Sequence, residues 1–455
     1  MKKKTIFQTL LFTILLAYSC SDNNDPVKDE TTTVNTEVQT PITGKTYYVD
    51  ASVTASGNGL TEATAFKTLS EAAAVTAPGD GVLVKNGTYS NFEEKTSGTP
   101  TAWVVWRNFP GHKPKITYTS WVGIYIKGSY IEIDGFTVQG NNDNITLTDA
   151  LNQPGGCKVT GAPQSIYNGN GILADSRTSA FNNPLGEFYH HINIKNCIVY
   201  DCGGAGVAAI NCDYIKIENC TIYDNAWYSI YGTSGISLLE LKNFNTDTDA
   251  NRNIIRNNIL YNNKMLVPWR DGGCKFTDGN GIIIDYANVN DYSGKTLIEN
   301  NVVYNNGGRG IHVYNSSNVN IVNNTCYQNC STPEISEGEI TIIGKSATIK
   351  SKNCSVYNNI LYARTGEKVN TVANAENYSQ RNNIYFNSTL GDDLPTLGST
   401  VNPMFVNAEA GDFKLKENSK AIDFGYIKKY YPAFDILGNA RYKGASIDCG
   451  AYEIK

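Results

Sequence analysis

The stretch "TLIENNVVYNN" (Thr296–Asn306) reads as two short apolar strands on either side of an asparagine pair. Leu, Ile, Val and Tyr suit a pleated, half-buried surface, and Asn is turn chemistry. The same pattern returns along the chain as "INIKNCIVYDC" from Ile192, "IKIENCTIYDN" from Ile215 and "NIIRNNILYNN" from Asn253. It continues as "VNIVNNTCYQN" from Val319 and "CSVYNNILYAR" from Cys354. A weaker copy, "YIEIDGFTVQG", starts at Tyr130, and a degenerate one surrounds Arg381-Asn382-Asn383. In every strong copy an Asn stands four residues before a Tyr, as in Asn196/Tyr200, Asn257/Tyr261 and Asn300/Tyr304.

The tyrosines are spaced by 23, 38, 43, 23 and 35 residues. Twenty-three residues suffice for one coil of three short strands, and the longer intervals are the same coil with loops inserted. The expected fold is all-β, a right-handed parallel β-helix. Successive coils stack at about 4.8 Å, so equivalent residues form ladders. Asparagines stacked at the turn satisfy one another and the bent backbone, which assigns these Asn and Tyr residues to packing.

A second column is led by glycine: "GNGILAD" (Gly169–Asp175), "GAGVAAI" (Gly204–Ile210), "TSGISLL" (Thr233–Leu239) and "GNGIIID" (Gly279–Asp285). "GRGIHVY" (Gly308–Tyr314) and "SEGEITI" (Ser336–Ile342) complete it. Aligned on Gly171, Gly206, Gly235, Gly281, Gly310 and Gly338, these strands form one parallel sheet. Positions one and three past the glycine face the core, and positions two and four face outward.

The flanks have their own logic. Leu69–Val75 is amphipathic and predicts a helix capping the open end of the stack, and Gly411–Glu453 predicts a closing C-terminal cap. Lys2–Lys4, an apolar run to Tyr18 and Ser19-Cys20 read as an export signal, too short to span a membrane. Cys20 sits where a bacterial lipoprotein is lipidated, and the acidic, Thr-rich stretch after it resembles surface lipoproteins of the Bacteroidota. The expected divisions are therefore a signal at 1–20, a tether at 21–44, the β-helix at 45–410 and the cap at 411–455. An outer-membrane lipid anchor, display at the cell surface and a monomeric state are the matching expectations. A net charge of −5 with no basic stripe argues against nucleic acid. No C-x-x-C pair occurs, and most of the cysteines occupy apolar repeat positions. Cys326/Cys330 and Cys202/Cys212 are pairings that spacing leaves open.

The asparagine ladder, the glycine-led column and both flanks resemble extracellular β-helix proteins of the pectate-lyase-like superfamily. The segment Tyr47–Tyr89 and the repeats look closest to family 9 pectate lyases and their unclassified relatives. The resemblance implies a polysaccharide-active protein, although the superfamily also holds hydrolases, epimerases and non-catalytic surface proteins. Family 9 lyases use clustered aspartates for calcium and a lysine base. The chain has no Asp-Asp pair in the repeats, and Asp392-Asp393 lies in a late loop.

The candidate site follows from the outward positions. Two past the glycine stand Leu173, Ala208, Ser237, Ile283, His312 and Ile340; four past it stand Asp175, Ile210, Leu239, Asp285 and Tyr314. Asp285 and His312 fall on successive coils, at an expected separation of roughly 5–7 Å. Arg309 and Asp278 precede these strands, and Lys275 lies on the preceding loop. Such a set can perform β-elimination on a uronate: Arg309 or Lys275 neutralises the carboxylate, His312, Tyr314 or Lys275 removes the proton, and Tyr314 protonates the leaving oxygen. Asp278 and Asp285 can instead act as a hydrolytic carboxylate pair. A third reading is a glycan-binding protein without catalysis. Two long insertions, Ala226–Asn251 and Asn263–Lys295, offer Trp227, Tyr228, Tyr231, Trp269, Arg270 and Asp271 for substrate binding. Asp175, Asp278 and Asp285 are the possible ligands for calcium.

Overall fold

The computed structural model describes residues 39–177, 188–388 and 398–454. The export signal, Cys20, most of the expected tether and Asp392-Asp393 lie outside the described residues. Three parallel sheets run the length of the stack, and the chain visits them in rotation. One coil shows the path. Ile282–Asp285 belongs to the glycine-led sheet, Lys295–Glu299 to a second sheet and Val302–Tyr304 to a third, and Ile311–Tyr314 then returns to the first. Each strand pairs in parallel with its equivalents one coil before and one coil after. The fold is a parallel β-helix, as the repeat spacing requires.

The core is the inside of this tube. Ile282, Ile284, Ile311 and Val313 are buried in it, together with Ile255, Ile298 and Ile321 from the second sheet and Leu260, Val303 and Cys326 from the third. The column glycines are needed for space. A Cβ on Gly281 would stand 2.2 Å from Val303 and 2.8 Å from the Gly310 carbonyl. "SEGEITI" slips by one residue: Ile311 pairs with Ile340, so Glu339 occupies the rung that the glycine alignment gave to Gly338. Thr341, not Ile340, consequently lies beside His312.

The asparagine pair divides two tasks that the sequence reading merged. The corner Asn of each strong copy (Asn196, Asn219, Asn257, Asn300, Asn323, Asn358), followed by Cys in the first two and by a second Asn in the others, takes a positive φ between 53° and 61°. In the weak copy Gly135, at φ 79°, fills that position. The second Asn makes the ladder: Asn258, Asn301, Asn324 and Asn359 each donate from Nδ2 to the next Oδ1 at 2.9–3.0 Å, and the ladder ends on Asn383. Two residues past each Tyr a parallel ladder runs Asn225, Asn263, Asn306, Asn329 and ends on Glu339. Tyr200, Tyr223, Tyr261 and Tyr304 stack at 4.8–5.0 Å outside the third sheet.

At the start of the stack the helix Leu69–Ala73, capped by Thr68 and Glu71, buries Leu69 and Ala72. It packs on Thr46–Val49 and on Phe92–Glu94, the first glycine-led strand, and so covers that end. The final part of the expected tether is packed: the Thr40 hydroxyl donates to Glu132 at 2.5 Å and the Gly44 amide to the Gly79 carbonyl at 2.8 Å. The C-terminal segment lies along the flank of the late coils instead of over their end. Phe405, Phe413, Leu415 and Cys449 cover the third sheet around Tyr327 and Ile360. The corner asparagines hold it there. Asn300 donates to the Phe434 carbonyl at 2.8 Å, Asn323 to Asp448 at 2.9 Å, Asn358 to Tyr426 at 3.2 Å and Asn382 to Phe424 at 2.7 Å.

Candidate functional site

The outer face of the glycine-led sheet carries two columns in register. One reads Leu173, Ala208, Ser237, Ile283, His312, Thr341, and the other reads Asp175, Ile210, Leu239, Asp285, Tyr314, Ile343. Asp285 therefore sits directly beside Tyr314, and His312 beside Ile283. Asp285 and His312 are diagonal neighbours on adjacent rungs, offset by two residues along the strand. No hydrogen bond joins them.

Both groups are shielded and unsatisfied. His312 is 6% exposed, and neither ring nitrogen has a hydrogen-bond partner among the described residues. Burial and the nearby Arg309 guanidinium hold its imidazole well below the usual histidine range, so the ring is neutral. Asp285 Oδ1 is likewise buried without a partner. Burial, with repulsion from Asp278 and Glu240, pushes its carboxyl well above the usual aspartate range. Burial thus favours the uncharged form of both groups.

The surrounding residues are fixed by named contacts. Arg309 is buried; its guanidinium donates to the Thr277 carbonyl and pairs with Glu337 at 2.9 Å. Asp278 accepts from the Thr277 hydroxyl at 2.7 Å and from Asn280 Nδ2 at 3.2 Å. Burial raises its carboxyl, and Arg309 opposes that rise. The Tyr314 ring lies 5.8 Å from His312 and 5.2 Å from Tyr286. Lys275 stands apart from this cluster, exposed on a turn where it bridges to Trp269.

The site holds three residues that the sequence reading missed. Glu240 and Tyr286 each follow the outward end of a glycine-led strand and take a positive φ, 51° and 53°. Their position immediately after Leu239 and Asp285 was the available signal. Glu337, next to Gly338, ion-pairs with Arg309.

The loop aromatics mostly pack the loops. Each expected insertion contains a glycine-led strand, so it is two shorter loops, one at each end of that strand. A third loop, between Gln139 and Asn170, joins them with two short helices, Leu147–Leu151 and Ser165–Asn168. Tyr228 is buried with Ala150, Ile230 and Val267, leaving no open ring face for a sugar. The Trp227 indole donates to the Asn262 carbonyl at 3.0 Å. Arg270 stacks over Tyr231 at 5.1 Å and pairs with the exposed Asp271 at 3.2 Å. Cys157 and Cys274 form a disulfide that ties the third loop to the Trp269–Lys275 turn. Cys202, Cys212, Cys326 and Cys330 are free and buried, so neither pairing left open by spacing is formed.

The three carboxylates considered for calcium do not share a site. Asp175 lies three rungs from Asp285 in its column and is gripped by Arg177 at 2.7 Å. Among the described residues no three His, Cys, Asp or Glu side chains are arranged to hold a metal.

The family described as "Right handed beta helix region" matches residues 68–384, the span of the coils. The chain belongs to the right-handed β-helix family. Within this family fold it is similar to a solved pectate lyase, Pel9A, at 17% identity and a TM-score of 0.54, covering 91% of this chain and 98% of that one. A rhamnogalacturonan lyase aligns at 15% identity and a TM-score of 0.42 over 83% and 96% of the two chains. A GH136 lacto-N-biosidase from Eubacterium ramulus aligns at 14% identity and a TM-score of 0.46 over 75% and 56%. At these identities the likeness is one of fold. No curated protein matches the chain.

Proposed function

We propose that this β-helix cleaves an acidic, uronate-containing polysaccharide by β-elimination on the outer face of the glycine-led sheet. The observation that carries the reading is the pair of Asp285 and His312, both shifted by burial toward their uncharged forms, with no partner among the described residues for Asp285 Oδ1 or for either imidazole nitrogen. Neutral His312 takes the proton beside the uronate carboxylate, and a carbon–carbon double bond forms as the carbon–oxygen bond breaks. Asp285, or Tyr314 beside it, returns a proton to the leaving oxygen. Arg309 supplies positive potential next to His312. The pectate lyase of the same fold supports the choice of an acidic polymer and an affinity with family 9. The lysine-and-calcium pattern of that family has no counterpart around Asp285 and His312 among the described residues.

A second reading, hydrolysis, is favoured by one observation: Asp278 and Glu240 both act on the Asp285 carboxyl, which gives a proton donor flanked by carboxylates. The N-terminal Lys2–Lys4, the apolar run and Cys20 support export and lipid anchoring, and the Cys157–Cys274 disulfide suits an oxidising destination.

Purified protein incubated with a panel of acidic polysaccharides, with and without chelator, tests these readings. Elimination yields a product with ultraviolet absorbance from its new double bond. Hydrolysis yields reducing ends without that absorbance. Retention on the polymer with neither product would establish binding alone and overturn the enzymatic reading.

A further inference from the structure

Arg364 and Glu367 face the same surface hollow of about 470 Å³, also lined by Gln328, Cys330, Ser331 and Thr365. Its volume falls in the range of small-molecule sites, roughly 300–1,000 Å³. Arg364 is held firmly by neutral acceptors: Nε donates to the Asn329 carbonyl at 3.1 Å and Nη2 to Asn305 Oδ1 at 3.3 Å. No carboxylate pairs with it among the described residues, although Glu367 lies three residues away on the same turn. Glu367 Oε2 is buried and has no hydrogen-bond partner. With Nε and Nη2 engaged by neutral acceptors, the Arg364 guanidinium keeps a positive charge in the hollow that no carboxylate among the described residues pairs with.

The hollow adjoins the cluster already described. Cys330 lines it, and the Cys330 amide donates at 2.7 Å to the carbonyl of Gly308, the residue before Arg309. The Cys330 thiol donates to the carbonyl of Gly338, beside Glu337. One wall therefore separates the hollow from the Arg309–Glu337 ion pair.

We propose that this hollow is an accessory subsite for a sugar unit carrying a carboxylate or a sulfate. Resting on the reading of the chain as glycan-active, it holds an acidic unit of the same polymer next to the reacting one. The Arg364 fork binds the anionic group, Glu367 accepts a sugar hydroxyl, and Gln328, Ser331 and Thr365 supply further polar contacts. The shared chemistry is a planar or tetrahedral oxyanion on a polyhydroxylated ring, which a guanidinium recognises better than an ammonium does.

Calorimetric binding in the Asp285→Asn background, where turnover is slowed, tests the subsite apart from catalysis. The probes are tetragalacturonate, its methyl ester and a sulfated galactose oligosaccharide. Saturable binding of tetragalacturonate or of the sulfated probe, without binding of the ester, is expected, and which acid binds identifies the group. Adding Arg364→Gln should weaken that binding roughly tenfold or more. Arg364→Lys keeps the charge and the fold but loses the fork, and should also weaken it. Unchanged affinity in the Lys variant, or equal binding of acid and ester, overturns the proposal, as does absence of binding to every acidic probe. If the wild type binds through Arg364 yet cleaves no polymer, the catalytic reading fails and the subsite stands as a binding site.

Discussion

Asp285 owes its raised proton affinity to where its strand ends. Ile282 and Ile284 fill the tube, which turns the next side chain outward, where Asp278 and Glu240 repel its charged form. Folding raises its proton affinity, so its contribution to stability is full below the unfolded aspartate range and is lost as pH rises toward the folded value. Asp285→Asn should therefore gain melting temperature relative to wild type between ~pH 5 and ~pH 8, while turnover falls by about 10²–10⁴-fold. A scan of melting temperature and rate against pH checks both. His312 has the opposite sign: its depressed imidazole favours the folded state above the usual histidine range, and that advantage is lost as pH falls. The outward placement of Asp285, His312 and Tyr314 was legible from period-two alternation alone. The burial of His312 and of Asp285 Oδ1 was not, because alternation says which face a side chain takes and not what covers that face.

Among elements, the asparagine ladders separate two kinds of asparagine by what each loses on substitution. Asn301 donates to the Ile255 carbonyl and to Asn324, and accepts from the Asn258 amide and side chain. Asn301→Ala should cost about 2–5 kcal/mol by orphaning buried groups on both neighbouring coils. Asn257→Ala disturbs a corner instead, at about 1–2 kcal/mol for an unfavourable left-handed residue. Denaturant unfolding of the two variants distinguishes these costs. Glu339 closes the second ladder by accepting from the Asn329 amide and side chain, and burial pushes its carboxyl up to about 8. Wild-type stability should therefore decline as pH rises from ~5 to ~9, and Glu339→Gln should flatten that decline in thermal melts. The repeat showed that coils exist and where each begins. It could not assign the paired asparagines to corner and ladder, since adjacent identical residues differ only in backbone angle. The slip at Glu339 was hidden for a related reason: "SEGEITI" still offers a glycine, one residue early.

The whole molecule departs from a simple solenoid, in which each coil touches only its neighbours. Arg441 reaches back 141 residues to Asn300 at 2.8 Å, and the segment around it covers the late third sheet. Removing residues 411–455 should expose Tyr327, Ile360 and Phe405, lower the melting temperature and promote aggregation, measurable by scattering during thermal melts. From sequence this segment read as an end cap, because its apolar and turn residues announce packing without saying against which surface. The corner asparagines that receive it give the late stack a fixed gauge. Asn300, Asn323, Asn358 and Asn382 stand on four successive coils and meet carbonyls of a single flanking segment. Inserting or deleting one coil within that span would shift every later asparagine by about 4.8 Å against its carbonyl. An added or deleted coil should therefore be tolerated better before Asn300 than between Asn300 and Asn382, where it would break this register.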